Sequence, residues 1–327
     1  MKPSRVKSIL KKLIQTPWAV FIWGPPGAGK SSVVREVAND ADLPVIDVRA
    51  TLLDPTDIRG IPAVQNGQAV WHPPSFLPTE DQPAGLLFLD ELNTAPPLVQ
   101  ASLYQLTLDR CVGEYRLPAG WLIVAAGNRA QDSSIVHRMP AALANRFVHL
   151  DFEVDAADWR SWAIGAGIDP RILGFIATRP ALLHDMSRPE RGFPTPRSWH
   201  MLSDVLANVG NIEEAIDVAI GVIGEGAAME FLGYCRNAIS LERIKAIIAD
   251  PGGAKLPKQL GDLYAVISWM AANGVDATVR AAAAVVLSRL APEFGVLLAR
   301  DMMRASPRFL TEKGYLAFAA QHKEFLK

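Results

Sequence analysis

Apolar residues follow two rhythms along this chain. Up to about residue 153, short β-prone runs alternate with stretches of helical spacing, and from Asp155 onward only the helical rhythm continues. The runs at 18–23, 44–48, 85–89, 121–126 and 147–152 are almost continuously apolar rather than alternating. Strands that read this way are buried on both faces, so the pattern predicts a parallel sheet covered by crossover helices. Beyond it, helical spacing is carried by Trp159, Trp162 and Ala163, by Ile172, Phe175 and Ile176, and by Ile212, Ala215, Ile216, Ala219 and Ile220. Ile244, Ile247 and Ile248, then Leu260, Leu263, Tyr264 and Ile267, continue it. Loop signals interrupt at 188–196 and 251–253. The expectation is an α/β domain over 1–153, a helical domain over 154–235 and a C-terminal helical extension over 236–327.

The first residues form a separate pattern. Val6, Ile9, Leu10, Leu13 and Ile14 keep helical spacing, while Lys2, Arg5, Lys7, Lys11 and Lys12 all precede the first acidic residue. This predicts an amphipathic helix docked on the body with a solvated basic face, in preference to a membrane or nucleic-acid arm.

Composition narrows the class. The chain has 327 residues, half of them apolar and a fifth charged, which allows two or three folded domains and excludes global disorder. Thirty-three basic residues against 34 acidic leave a net charge of -1, which argues against nucleic acid as an obligate partner. Cys111 and Cys235 are the two cysteines and form no paired motif, so the expected location is cytoplasmic, with neither a disulfide framework nor a zinc site. No apolar run reaches the roughly 18 residues a membrane span requires.

The strongest chemical signal is GPPGAGKS, which meets GxxxxGK[ST] at every fixed position: Gly24, Pro25, Pro26, Gly27, Ala28, Gly29, Lys30 and Ser31, with Ser32 following. An apolar run precedes it and a helical pattern with Val33, Val34 and Val37 follows. Glycines let backbone N–H groups converge on phosphate oxygens, and the helix N-terminus favours anions. Lys30 supplies a point charge for the β- and γ-phosphates, and the Ser31 hydroxyl suits Mg²⁺.

Binding alone is not hydrolysis, and a second motif supplies acids. In GLLFLDE an apolar run ends in Asp90 and Glu91. Asp90 is placed for the Mg²⁺ shell and Glu91 for polarising an attacking water. A third run ends in AAGN, where the Asn128 amide can hydrogen-bond the γ-phosphate or orient that water. The six histidines are scattered without metal-ligand spacing, and no serine stands in GxSxG.

The order of these motifs resembles AAA+ ATPases, and within them the MoxR-type group. DELNTAPPLVQASLYQL, from Asp90 to Leu106, is similar to that group's Walker B signature, and ALANRF, from Ala142 to Phe147, to its arginine-finger segment. The resemblance covers about 16–206. It implies a P-loop NTPase sheet with an all-α lid, ATP and Mg²⁺ as cofactors, and a homo-oligomeric ring, six-membered in the family. It also implies a remodelled protein client or a von Willebrand factor A-type partner. Asn128 would be sensor 1, Arg146 the finger reaching a neighbouring subunit's site, and Arg197, in TPRSW, sensor 2; Arg138 competes with Arg146. Thr94 and Asn145 depart from the group, which often has arginine and an acidic residue there.

Two inserts also resemble the group's working loops. Asn66-Gly67 signals a hairpin because a type I′ turn needs positive φ at both positions, and Gly113-Glu114 separates two short β-prone arms. By resemblance they line a ring's axial channel, which makes Trp71, His72, Tyr115 and Arg116 candidate client contacts. Two other function classes stand beside this reading: a nucleic-acid-associated or GTP-using restriction-type motor subunit, and a non-hydrolysing nucleotide-dependent scaffold.

Overall fold

The computed structural model describes residues 1–132, 139–187, 191–209, 214–322 and 324. They divide into two compact units, Met1–Val154 and Asp155–Lys327.

The described residues of the first unit form nine strands. In chain order they are β1 (Ala19–Trp23), β2 (Val45–Arg49), β3 (Ile61–Gln65), β4 (Gln68–His72), β5 (Leu86–Asp90), β6 (Cys111–Val112), β7 (Tyr115–Arg116), β8 (Leu122–Gly127) and β9 (Phe147–Asp151). Its helices are α1 (Pro3–Leu13), α2 (Lys30–Asp40), α3 (Pro55–Arg59), α4 (Pro97–Asp109) and α5 (Ala141–Ala144). Five strands form one sheet in the order β2-β5-β8-β1-β9, with every neighbouring pair parallel. All five apolar runs are strands of this sheet, displaced by no more than about a residue at either end.

Alternation within each strand assigns the two faces. Val20, Ile22, Leu86, Phe88, Leu122, Val124 and Leu150 pack with Val33, Val34 and Val37 of α2 and with Val6 and Leu10 of α1. The intervening residues Phe21, Leu87, Leu89, Ile123 and Phe147 pack with Val99, Leu103 and Leu106 of α4. Strands covered on both sides have no solvated face to mark with polar residues, hence the continuous runs.

The N-terminal helix forms and docks as its spacing predicts, with Val6 and Leu10 fully buried. Its basic face is solvated as expected, with Lys2, Arg5, Lys11 and Lys12 exposed, and two of its lysines also make ion pairs at the surface. Lys7 pairs with Glu36 at 2.9 Å and Asp40 at 3.1 Å, and Lys11 with Asp40 at 2.7 Å, all on α2.

Both expected hairpins are present. Asn66 and Gly67 have φ of 51° and 77°, and β3 pairs β4 from Ile61↔His72 to Gln65↔Gln68. Across Gly113-Glu114, Cys111 pairs with Arg116 and Val112 with Tyr115.

The described residues of the second unit are helical. The helices are α6 (Ala156–Gly165), α7 (Pro170–Thr178), α8 (Pro196–Val209), α9 (Ile216–Ile223) and α10 (Glu225–Asn237). They continue with α11 (Leu241–Ala249), α12 (Leu260–Ala272), α13 (Ala277–Leu287), α14 (Pro292–Ala305) and α15 (Lys313–Gln321). Phe175, Trp199, Phe231 and Tyr234 form an aromatic cluster with centroids 5.4–5.7 Å apart. A buried polar centre ties early to late helices: Arg160 donates to Asp301 at 2.8 and 3.0 Å, to Ser268 at 2.9 Å and to the Leu173 carbonyl at 2.6 Å.

Candidate functional site

Parallel strands deliver their C-terminal ends to one edge of the sheet, where ligands of open α/β folds bind. The loop of residues 24–29 leaves β1 at that edge and enters α2. Gly27 and Gly29 have φ of 71° and 102°, a region closed to most side chains and required here for the chain to turn back on itself. Lys30 and Ser31 are consequently the first residues of α2, at its positive end.

Lys30 is 8% exposed, and its ammonium donates to the carbonyls of Gly24 at 2.7 Å and Pro25 at 2.9 Å. It also donates to Asn128 Oδ1 at 3.0 Å, at the end of β8. Ser31 Oγ donates to Asp90 Oδ2 at 2.8 Å, at the end of β5. Three motifs separated by up to 98 positions thus share one small site. Strand order explains it: β8 lies between β1 and β5, so their tips are neighbours.

Glu91 is exposed and stands just beyond β5 with φ of 55°, so its side chain leaves the direction Asp90 takes. Its carboxylate accepts a hydrogen bond from Thr51 Oγ1 at 3.1 Å. Asn93, two residues on, bonds the backbone of Asn128 through both ends of its amide, at 2.7 and 3.2 Å. Thr51 lies in no motif, and Asn93 falls inside the DELNTAPPLVQASLYQL segment without a role of its own assigned there. Thr51 follows β2, an edge strand with no motif of its own, and Asn93 reads as an ordinary loop residue.

The remaining expected residues stand elsewhere. Arg146 is exposed between α5 and β9, and its backbone N–H bonds the Leu143 carbonyl at 2.9 Å. Arg197 is exposed in the first turn of α8, in the second unit. Arg138, the competing finger, lies outside the described residues. Asn145 is exposed beside Arg146, while the Thr94 hydroxyl is buried with no hydrogen-bond partner among the described residues.

At the hairpins, three of the four candidate contacts are engaged within the chain, His72 through its Nε2 with Gln65 Nε2 at 3.2 Å. The Arg59 guanidinium lies 4.9 Å above the Trp71 ring, a cation–π contact. Tyr115 donates its hydroxyl to the Pro78 carbonyl at 2.7 Å, and burial pushes this phenol up to about 12, with Arg110 partly offsetting the shift. His72 and Arg116 are exposed.

Among the described residues no cluster of three or more His, Cys, Asp or Glu is arranged to hold a metal. The Ser31–Asp90 pair is a different kind of site. It offers two hard oxygens beside the phosphate loop, and Mg²⁺ is commonly held by one or two protein oxygens with the rest of its shell from phosphates and water. Among the described residues, too, no helix is long and apolar enough to cross a membrane.

Residues 19–147 match the family model described as AAA domain, dynein-related subfamily. The match spans β1 to the start of β9 and so includes the phosphate loop, Asp90, Glu91, Asn128 and Arg146. The matched segment is similar to an AAA domain and lies on a parallel sheet with a phosphate loop, which supports nucleotide binding and, in general, hydrolysis. No curated protein matches the chain. Solved structures with a similar course include NtrX from Brucella abortus in complex with ADP, 14% identical, covering 98% of this chain and 68% of that one, TM-score 0.45. A RuvB mutant from Thermotoga maritima is 16% identical over 82% of this chain and 79% of that one, TM-score 0.42.

Proposed function

We propose that this chain is a MoxR-type ATPase that assembles head to tail into a ring, six-membered by family resemblance, and spends ATP hydrolysis on reshaping a partner protein. One observation carries the reading: Lys30, Ser31, Asp90 and Asn128, drawn from three motifs, converge at the tips of β1, β5 and β8.

In this scheme the Lys30 ammonium exchanges its carbonyl partners for β- and γ-phosphate oxygens, and the backbone N–H groups of the loop bind the remaining oxygens. Ser31 and Asp90 would hold Mg²⁺, which when bound neutralises charge on the β- and γ-oxygens. Glu91 leaves Thr51 and accepts a proton from the attacking water at its carboxylate. Asn128, while bonded to Lys30, directs its amide N–H at the γ-phosphate or that water.

Arg146 completes the site of the neighbouring subunit. A guanidinium delivered to the γ-phosphate offsets charge that develops in the transition state, an effect worth about 10³–10⁵ in rate in related phosphoryl-transfer sites. A residue given in trans requires a head-to-tail contact, which closes into a ring when the rotation permits. Residues 154–235 serve as the lid, with Arg197 sensing the γ-phosphate. Residues 236–327 form a platform suited to a protein client or a von Willebrand factor A-type partner, and the hairpins at Asn66-Gly67 and Gly113-Glu114 face the ring's channel.

The test is complementation. Lys30→Ala and Arg146→Ala are each expected to be nearly inactive. Mixed before assembly they should regain ATPase, because some interfaces then pair an intact loop with an intact finger. Verified mixed rings with no recovery count against the trans assignment.

A further inference from the structure

We infer that Asn93 is a positioning residue for Asn128: its side-chain amide acts as an extra rung of the sheet that fixes the backbone from which Asn128 reaches Lys30. The inference rests on the reading of Asn128 as a contact to the nucleotide or the attacking water, and adds to it the group that holds Asn128 in place.

The sheet ladder ends just short of the residue that needs holding. β5 and β8 pair through Leu89↔Ala125, after which β5 reaches Asp90 and the chain swings away at Glu91 with positive φ. On its other side β8 keeps its partner two residues longer, through Trp23↔Gly127, with Gly24 N–H reaching the Gly127 carbonyl at 3.2 Å. The Asn128 peptide group therefore lies beyond the last backbone rung on the β5 side. Asn93 fills that place. Its Nδ2 donates to the Asn128 carbonyl at 2.7 Å, and its Oδ1 accepts the Asn128 N–H at 3.2 Å.

Chemistry makes the choice of residue narrow. A peptide group offers one donor and one acceptor, and a primary amide answers with one of each, whereas a carboxylate lacks the donor and an aliphatic chain lacks both. The partners also settle which end of the amide is which, since a backbone N–H only donates and a carbonyl only accepts. Space is equally restricted. A Cβ at Gly127 would lie 2.1 Å from Asn93 Oδ1, so a glycine is what allows the amide to approach.

Asn93 is itself held from below. It is 1% exposed, as is Gln100 on α4, whose Nε2 donates to the Ala95 carbonyl at 2.9 Å and more weakly to that of Asn93 at 3.4 Å. Tyr104 O–H donates to Gln100 Oε1 at 2.9 Å, which orients the Gln100 amide. A continuous polar path thus runs from Tyr104 through Gln100 and Asn93 to Asn128 and Lys30. It joins the segment following Glu91 to the asparagine on the next strand, so the two stay in fixed relation.

The test is a double-variant cycle on the full chain, with ATP turnover, affinity for a fluorescent ADP and thermal melting measured on each member. Asn93→Ala should lower kcat by about 10- to 100-fold while ADP affinity changes less than about 3-fold. Joined to Asn128→Ala, it should slow turnover no further than Asn128→Ala does alone, because the two act through one group. Gly127→Ala, which pushes the amide aside while leaving both asparagines present, should reproduce the Asn93→Ala loss. If Asn93→Ala melts below the assay temperature, Asn93→Ser takes its place, and a failure of both to fold makes Asn93 a stability residue and overturns the inference. Multiplicative losses in the double variant, or near-normal turnover in Asn93→Ala when Asn128→Ala is slow, overturn it while leaving the role of Asn128 intact. Normal turnover in Asn128→Ala removes that role, and the inference with it.

Discussion

The Lys30 ammonium donates to Asn128 Oδ1 at 3.0 Å across 98 positions of sequence, while the same ammonium closes the phosphate loop through the carbonyls of Gly24 and Pro25. The cation is held in readiness by groups of low basicity, and phosphate oxygens, being charged, displace them readily.

Removing that cation should separate binding from folding. Lys30→Met is expected to weaken ATP affinity by about 10- to 100-fold, the value of a charge-assisted contact, with the fold retained. Titration with a fluorescent nucleotide and a circular dichroism spectrum check both halves. Unchanged affinity would show that the loop does not bind phosphate.

Glu91 carries a different load. Glu91→Gln keeps size and hydrogen bonding but cannot accept the water's proton, so kcat should fall about 10²- to 10⁴-fold with ATP affinity unchanged. Single-turnover hydrolysis measured beside equilibrium binding distinguishes the two. A variant that hydrolyses at the parent rate would exclude Glu91 as the proton acceptor. Because Glu91→Gln should stall the client-bound state, its tagged form is also suited to isolating the partner.

In the helical unit the buried Arg160–Asp301 pair is the sensitive point, with side chains 6% and 2% exposed. Asp301→Ala strands a buried guanidinium and should destabilise the unit by about 3–5 kcal/mol. Replacing both partners by apolar residues of similar volume should cost much less, since no charge is then left behind. Urea unfolding of the parent protein and the two variants decides between an essential pair and one whose members are costly only apart.

Asp276 provides a pH-dependent case. As N-cap of α13 it accepts the N–H groups of Thr278 at 2.7 Å and Val279 at 3.2 Å. The Val279 bond first, then Thr278, holds its carboxyl below the ordinary Asp range. A carboxyl lowered on folding adds stability above its unfolded value and loses it as pH falls through the folded one. Asp276→Ala should therefore melt roughly 2–4 °C lower at neutral pH, with the gap to the parent protein closing below about pH 4. A gap that stays constant with pH would mean the carboxylate charge is not what caps the helix.

The chain by itself determined what depends on near neighbours. The glycine spacing of the phosphate loop and the Asn66-Gly67 turn require particular backbone angles at particular residues, so both are readable locally. The same holds for the five continuous apolar runs, which only strands buried on two faces can use. Strand order is another matter. Five similar parallel strands offer no local label for their neighbours, and only the folded sheet puts β8 between β1 and β5, bringing Asn128 to Lys30. Tertiary structure also paired Lys7 and Lys11 with acids on α2, joined Thr51 to Glu91, and set the Asn93 amide against the Asn128 backbone. In each case the partner lies at least 29 residues away, and a hydrogen bond over that separation has no periodicity to announce it.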